Sequence, residues 1–182
     1  MENNINLQKA IFAGGCFWCT EAIFKNLKGV EQVLPGYIGG HTVDPTYEQV
    51  CTGETGFAEA IQIMYDGNVV NYNQLLEVFF ATHNPTTLNR QGADVGTQYR
   101  SEIFYTGLEQ KTLAEEYIAV LSQERVFEDP IVTVVSKATL FYVAEDYHKD
   151  YFAVKGDSNP YCQMVVKPKV DKFMTNFSNR VK

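Results

Sequence analysis

Residues 9–13 form a short, largely apolar run halted by Gly14-Gly15, and from Cys16 the apolar positions Phe17, Ala22, Ile23, Phe24 and Leu27 recur at helical spacing up to Gly29. The pattern predicts a strand, a tight turn and a helix. Residues 30–38 read as extended around Pro35 and end at Gly39-Gly40, while residues 60–65 alternate and end at the turn dipeptide Asp66-Gly67. Two further strands follow, joined by a long polar loop. Asn71 is placed as the N-cap of a helix whose wide apolar face is Leu75, Leu76, Val78, Phe79 and Phe80. That helix must stop at Asn84-Pro85, because a residue before proline is driven out of the helical region. Residues 102–105 supply a fourth strand. The order β-α-β-β-α-β is that of a ferredoxin-like split βαβ core, so an α+β fold with two helices on one sheet face is expected. Beyond the core the pattern predicts a helix over 109–125, a strand over 131–135, a short helix near 142–153 and a C-terminal segment from Pro168.

Residues 83–100 make a connection far longer than the usual ~4–6 residues, and its mixture of aromatic and polar side chains favours a functional loop. No repeat, low-complexity tract or linker divides the chain. A single domain over 1–182 is therefore expected, with its core at about 7–155 and a C-terminal tail at about 156–182. The 182 residues suffice for a sizeable core. With 15 basic against 22 acidic residues the net charge is −7, which removes the electrostatic footprint of a nucleic-acid or anionic-membrane binder. No apolar run reaches the ~18 residues of a membrane span. Met1-Glu2-Asn3-Asn4 lacks the basic and apolar parts of a signal peptide. A cytoplasmic monomer is expected. Four cysteines are too few for a disulfide scaffold, and two of them, Cys16 and Cys19, share one CxxC, which points to chemistry or metal binding.

Cys16 follows a strand and a Gly-Gly turn and opens a helix, a setting that places its sulfur against free backbone N–H groups and the positive end of the helix dipole. A lowered pKa and a nucleophilic thiolate are expected, with an inert buried thiol as the bland alternative. Zinc would need a second ligand pair, yet Cys51 and Cys162 stand alone and His41, His83 and His148 are scattered. A zinc-binding interaction module stays open on that weak footing, as does a Cys/His hydrolase using His83 or His148. A dithiol-disulfide oxidoreductase would also use a CxxC, but Phe17 and Trp18 between the cysteines suit an apolar pocket. As a lone aromatic pair they would ordinarily be core. Tyr47, Glu59, and Asp94 with Tyr99 lie beside glycine-rich loops.

The run Gly14-Gly15-Cys16-Phe17-Trp18-Cys19 resembles the peptide methionine sulfoxide reductases of the A type. Further matching segments are Gly36-Tyr37-Ile38-Gly39-Gly40, Asp44-Pro45-Thr46-Tyr47, Val50-Cys51-Thr52-Gly53, Thr55-Gly56-Phe57-Ala58-Glu59-Ala60, the stretch from Gln91 to Ser101, and Ala144-Glu145-Asp146-Tyr147-His148. They run through most of the chain in the family's order. The resemblance implies reduction of the S epimer of methionine sulfoxide, free or in proteins, with thioredoxin or another dithiol as reductant and no metal or organic cofactor. It implies Cys16 as nucleophile, Glu59 as acid, Tyr47 and Tyr99 as hydroxyl donors, Asp94 as a further pocket carboxylate, and Phe17 and Trp18 as the holders of the substrate methyl group. A sulfenic acid on Cys16 would be resolved to a disulfide by a second thiol. The chain departs from many relatives in having Phe57 where they carry histidine, which makes a more apolar setting for Glu59. It has Cys19 where they have glycine, and Tyr161-Cys162 in place of a glycine-rich tail with several cysteines. Cys19, close in sequence, and Cys162, reached by a flexible tail, are both candidates for the resolving thiol. Cys51 reads as structural, a small apolar side chain.

Overall fold

The computed structural model describes residues 5–182, so Met1-Glu2-Asn3-Asn4, and the reading made of them, lie outside the described residues. The chain runs β1 (Leu7–Gly14), α1 (Phe17–Lys25), β2 (Val30–Ile38), α2 (Tyr47–Cys51), β3 (Ala58–Asp66), α3 (Tyr72–Thr82), β4 (Arg90–Gln91) and β5 (Asp94–Val95). It continues through β6 (Ser101–Tyr105), α4 (Leu108–Gln123), β7 (Val134–Lys137), β8 (Tyr142–Val143), α5 (Tyr151–Lys155) and α6 (Lys167–Asn176). The sheet order is β7-β6-β1-β3-β2-β8. Its four central strands, β6-β1-β3-β2, are all antiparallel and reproduce the split βαβ order. β7 adds in parallel to β6 and β8 antiparallel to β2, which makes the sheet mixed and the fold α+β.

Alternation in β1 sends Ala10 and Phe12 to the face covered by α1 and α3, and Ile11 and Ala13 to the other. On the helix side Phe12 is fully buried, stacks on Phe79 at 4.8 Å and meets Phe24 and Tyr72 at tilted angles. Burial of each such ring contributes about 1.5–3 kcal/mol, and this is where the fold is anchored. Asn71 caps α3 as the sequence suggests. Its side chain accepts the Gln74 N–H while the Gln74 amide oxygen accepts the Asn71 N–H, each at 2.9 Å.

Outside the core the structure departs from the pattern. The strand expected at 131–135 lies at Val134–Lys137, because the Val132 N–H is donated to Pro85 O and the Thr133 hydroxyl pairs with Ser101, holding the preceding residues off the ladder. The helix expected near 142–153 is three pieces: β8, a single tight turn at Asp146–His148, and α5. The Ala144 N–H goes to Pro35 O, and Asp150 has a left-handed φ of 55°, which no helix interior tolerates. The tail is helical rather than flexible. A π-turn at Cys162–Val166 leads into α6, and Cys162, Val166, Val170, Phe173 and Phe177 all join the main core.

Candidate active site

β1 ends at Gly14, and Gly15 turns the chain with φ +90° before α1 begins. A Cβ at Gly15 would sit 2.6 Å from the Gln91 side chain, so both the conformation and the space call for glycine. Cys16 takes the N-cap position, as the sequence suggests, with 8% of its surface exposed. The first N–H of the helix, that of Phe17, is donated to Glu59 Oε2 at 3.1 Å. Glu59 lies on β3, on the same face as Ile61 and Ile63 and opposite Tyr37 in β2, so strand alternation drives a carboxyl into the core. It is 1% exposed and has no ion-pair partner among the described residues. Burial raises its pKa to about 8 against the pull of the Phe17 N–H, with the Asp94 and Cys19 charges raising it further. At neutral pH it carries a proton.

The helix end does not lower the Cys16 pKa. Burial pushes the thiol well up, the hydrogen bond to Cys19 and the Glu59 charge push the same way, and only the Trp18 N–H opposes them. Burial outweighs the dipole because a helix terminus is worth about 0.3–1 kcal/mol, up to ~2, while full desolvation of a charge costs several. Cys19 shifts in the other direction: the Cys16 thiol donates to it, and Lys169 and the Tyr161 hydroxyl assist, against its own burial. All four cysteines are free thiols.

The remaining candidates come from separate elements. Tyr47 opens α2, its N–H held by Glu145 Oε2 at 3.1 Å; Tyr99 ends the short turn Thr97–Tyr99; both hydroxyls are raised in pKa by burial and by the Glu59 charge, and each stays a proton donor. Asp94, on β5, accepts the Tyr161 hydroxyl at 2.6 Å. The long loop thus folds into the β4–β5 hairpin that carries Asp94 and leads to Tyr99. Its Gln91 braces Asn84 through two backbone hydrogen bonds and packs on Gly15. Phe17 is nearly inaccessible, lying against Tyr37, Tyr47 and His148 at centroid distances of 5.8, 6.4 and 5.0 Å. Trp18 is partly open, stacked on Tyr151 at 3.8 Å and 5° and edge-on to Tyr161. Its indole N–H is donated to His148 Nδ1 at 3.1 Å, which puts the His148 proton on Nε2. Phe57 is buried against Gly40 and Tyr142.

Tyr161, Glu145 and the Trp18-binding role of His148 were not foreseen, although the Tyr-Cys and Ala144–His148 segments marked their neighbourhoods. Cys51 is exposed, not a buried apolar filler, and its thiol bonds the Tyr47 hydroxyl one helical turn away. Cys162 is fully buried and electrostatically coupled to Cys19. His83 spends its nitrogens on Phe79 O and Ser101 Oγ, and His148 serves Trp18, so neither acts as base to Cys16. Among the described residues no group of three or more His, Cys, Asp or Glu side chains is placed to hold a metal ion. None of their helices is long and apolar enough to cross a membrane.

A thiol pair beside a protonated carboxyl and tyrosine hydroxyls, set on an α+β sheet, defines a thiol-dependent oxidoreductase acting at sulfur. The family model for peptide methionine sulfoxide reductase matches residues 8–181. The peptide methionine sulfoxide reductase MsrA of Chromobacterium violaceum is 53% identical over 173 residues, 95% of this chain and 98% of that protein, and MsrA of Saccharolobus solfataricus is 52% identical over 176 residues, 97% and 98%. The crystal structure of Mxr1 from Saccharomyces cerevisiae in reduced form is similar with a TM-score of 0.77 at 30% identity, covering 88% of this chain and 94% of Mxr1. The chain belongs to the peptide methionine sulfoxide reductase family.

Proposed function

We propose that this protein reduces methionine S-sulfoxide, free or in proteins, through Cys16. The observation that carries the proposal is a carboxyl, Glu59, 1% exposed and bonded to the Phe17 N–H next to the buried Cys16 thiol, where burial favours its protonated form. A sulfoxide sulfur is a poor electrophile until its oxygen takes a proton, so a thiol here needs an acid next to it. Cys16 sulfur attacks the sulfoxide sulfur while Glu59 gives its proton to the oxygen; the proton of the Cys16 thiol restores Glu59. In the adduct the protonated oxygen is still on the substrate sulfur; it passes to Cys16 sulfur as the substrate S–O bond and the new S–S bond break, the electron pair goes to the departing methionine sulfur, and a thiol and a sulfoxide become a sulfenic acid and a thioether. Tyr47 and Tyr99 polarise the oxygen, and Asp94 lines the same pocket. Trp18, backed by Phe17, holds the methyl group. With oxygen and methyl both fixed, one configuration at sulfur faces Cys16.

Cys19 is the resolving thiol in this reading: it lies one helical turn from Cys16, and the Cys16 thiol and Lys169 favour its ionised form. It displaces water from the sulfenic acid to form a Cys16–Cys19 disulfide, which thioredoxin or another dithiol reduces. Cys162, buried next to Cys19 in a packed helical tail, is the second candidate. The single catalytic domain expected over 1–182 draws on its tail, which supplies Tyr161. The reaction so written uses no metal or organic cofactor.

The test is turnover of each methionine sulfoxide epimer with dithiothreitol or thioredoxin. Reduction of the S epimer alone, lost in Cys16→Ser, is expected. Cys19→Ser should still release one methionine per chain while accumulating the sulfenic acid. Turnover by Cys16→Ser, or of neither epimer by the folded reduced protein, overturns the proposal; reduction of an insulin-type disulfide instead would favour a general dithiol oxidoreductase.

A further inference from the structure

Glu21 is a second buried carboxyl, 3% exposed, which the chemistry above does not use. It lies on α1, one turn beyond Phe17 and Trp18, and its Oε1 accepts the backbone N–H of Asp150 at 3.0 Å. Asp150 occupies the left-handed region, φ 55°, without being glycine, and its side chain pairs with Lys25. On either side of it stand the two groups that hold the Trp18 ring: His148, which accepts the indole N–H at 3.1 Å, and Tyr151, which stacks on the indole face at 3.8 Å. One strained backbone turn thus sets both contacts. It is tied down by a side chain from the same helix that carries Trp18.

We propose that Glu21 is a positioning residue: through the Asp150 N–H it fixes the 148–151 strap that clamps Trp18, and so sets how the apolar end of the substrate is held. The substrate half of this statement rests on the function proposed above; the clamp itself does not. Two open cavities of about 360 and 280 Å³ flank Glu21 and give water a route to it. The charged groups around it are Lys25 on α1, Lys149 and Asp150 on the strap, Glu31 on β2 and Lys182 at the C-terminus. Burial, with the Asp150 charge, raises Glu21 to about 7 against the Asp150 N–H and Lys25. A carboxylate is a stronger acceptor for that N–H than the neutral acid, so the strap tightens as pH rises through about 7.

Trp18 is the single tryptophan of the chain, so its emission reads the clamp without substrate. Glu21→Ala should shift the Trp18 emission and raise KM for methionine S-sulfoxide at least threefold, with the first-turnover rate at saturating substrate changed less than twofold. Glu21→Gln keeps an oxygen acceptor without the charge. It should restore the wild-type emission and KM at pH 6 and lack the emission change that wild type shows around pH 7. A folded Glu21→Ala protein with wild-type emission and KM overturns the proposal. So does an alanine defect that glutamine leaves unrepaired, or a pH 7 transition that persists in Glu21→Gln. Should Glu21→Ala fail to fold, the glutamine variant decides alone through that transition. If wild type reduces no sulfoxide, the proposed function falls, while the emission still decides the clamp.

Discussion

Replacing Glu59 with glutamine should make the protein more stable at alkaline pH and far less active. Glutamine keeps an oxygen for the Phe17 N–H, 3.1 Å away in the native chain, and nearly the same volume, so the change removes only the ionisable proton. In the unfolded chain Glu59 loses that proton near 4.5, whereas the folded pocket holds it to about 8. Between those values the folded state binds more protons than the unfolded one, so stability falls as pH rises; below 4.5 and above about 8 this contribution is flat. A rise from 4.5 to about 8 corresponds to roughly 4–5 kcal/mol at ~1.4 kcal/mol per pH unit. Urea denaturation of the reduced proteins from pH 4.5 to 9 reads it directly. The variant and wild type should start level at the acid end and diverge to roughly 4 kcal/mol in favour of Glu59→Gln by pH 8.5. Taking the difference between the two cancels the similar contribution of Glu21. Loss of the general acid should slow the first turnover by about 10²–10⁴. Parallel stability curves across this range would refute the claim that burial keeps Glu59 protonated, and unchanged single-turnover kinetics would remove it from the acid role.

Gly15→Ala combines a φ of +90° with a Cβ 2.6 Å from Gln91. The left-handed conformation alone costs about 1–2 kcal/mol, so a lower thermal midpoint and slower methionine release are expected. Phe12→Ala removes a ring enclosed by Phe24, Tyr72 and Phe79 and should lower stability by about 3–5 kcal/mol in a urea titration. His83, buried and lowered to about 4, stays neutral in the fold while the unfolded chain protonates near 6.5, so its contribution is complete above pH 6.5 and lost as pH falls to about 4. The acid loss is about 3 kcal/mol, and His83→Gln should flatten that part of the denaturation profile. Tyr161→Phe deletes the hydrogen bond that Asp94 accepts and leaves that carboxylate facing Cys19, whose ionisation it opposes, so stopped-flow detection of disulfide formation should show it slowed several-fold with methionine release little changed.

The core was legible because period-2 and helical patterns report burial directly: Phe12 alternates against Ile11 and Ala13, and Asn71 with Gln74 announces a capped helix. The edges were not, because side-chain and backbone contacts distant in sequence decide them. Val132 and Thr133 are held by Pro85 and Ser101, fifty or fewer residues away in the chain but invisible to a local pattern. The short α2 hid inside a polar loop although Thr46 and Gln49 form its capping box. Cys16 at a strand-to-helix turn was plain from Gly14-Gly15 and the apolar runs around it. Its ionisation is not legible there, because the helix dipole can be seen in a sequence and the depth of burial cannot. The tail, expected to be a flexible arm, is helical: its apolar positions Val166, Val170, Phe173 and Phe177 recur at three- and four-residue spacing and seat Cys162 in the core.

That burial changes how the site must be understood. A lone low-pKa thiolate would be reactive toward many electrophiles, but here the fold withholds charge from Cys16 and stores a proton on Glu59 next to it. In the proposed reaction nucleophile and acid are matched: the proton that Glu59 gives to the sulfoxide oxygen is replaced by the one Cys16 loses as it attacks, so one proton passes from thiol to oxygen through the carboxyl. Cys19, one helical turn away and shifted the other way by the Cys16 thiol and Lys169, is proposed for the next step, the displacement of water from the sulfenic acid. On that proposal attack and resolution are separated by environment and not by distance. The same burial that makes Glu59 a cost to the folded state at alkaline pH would, in the proposed reaction, supply its proton, so catalytic competence and the alkaline loss of stability would share one cause.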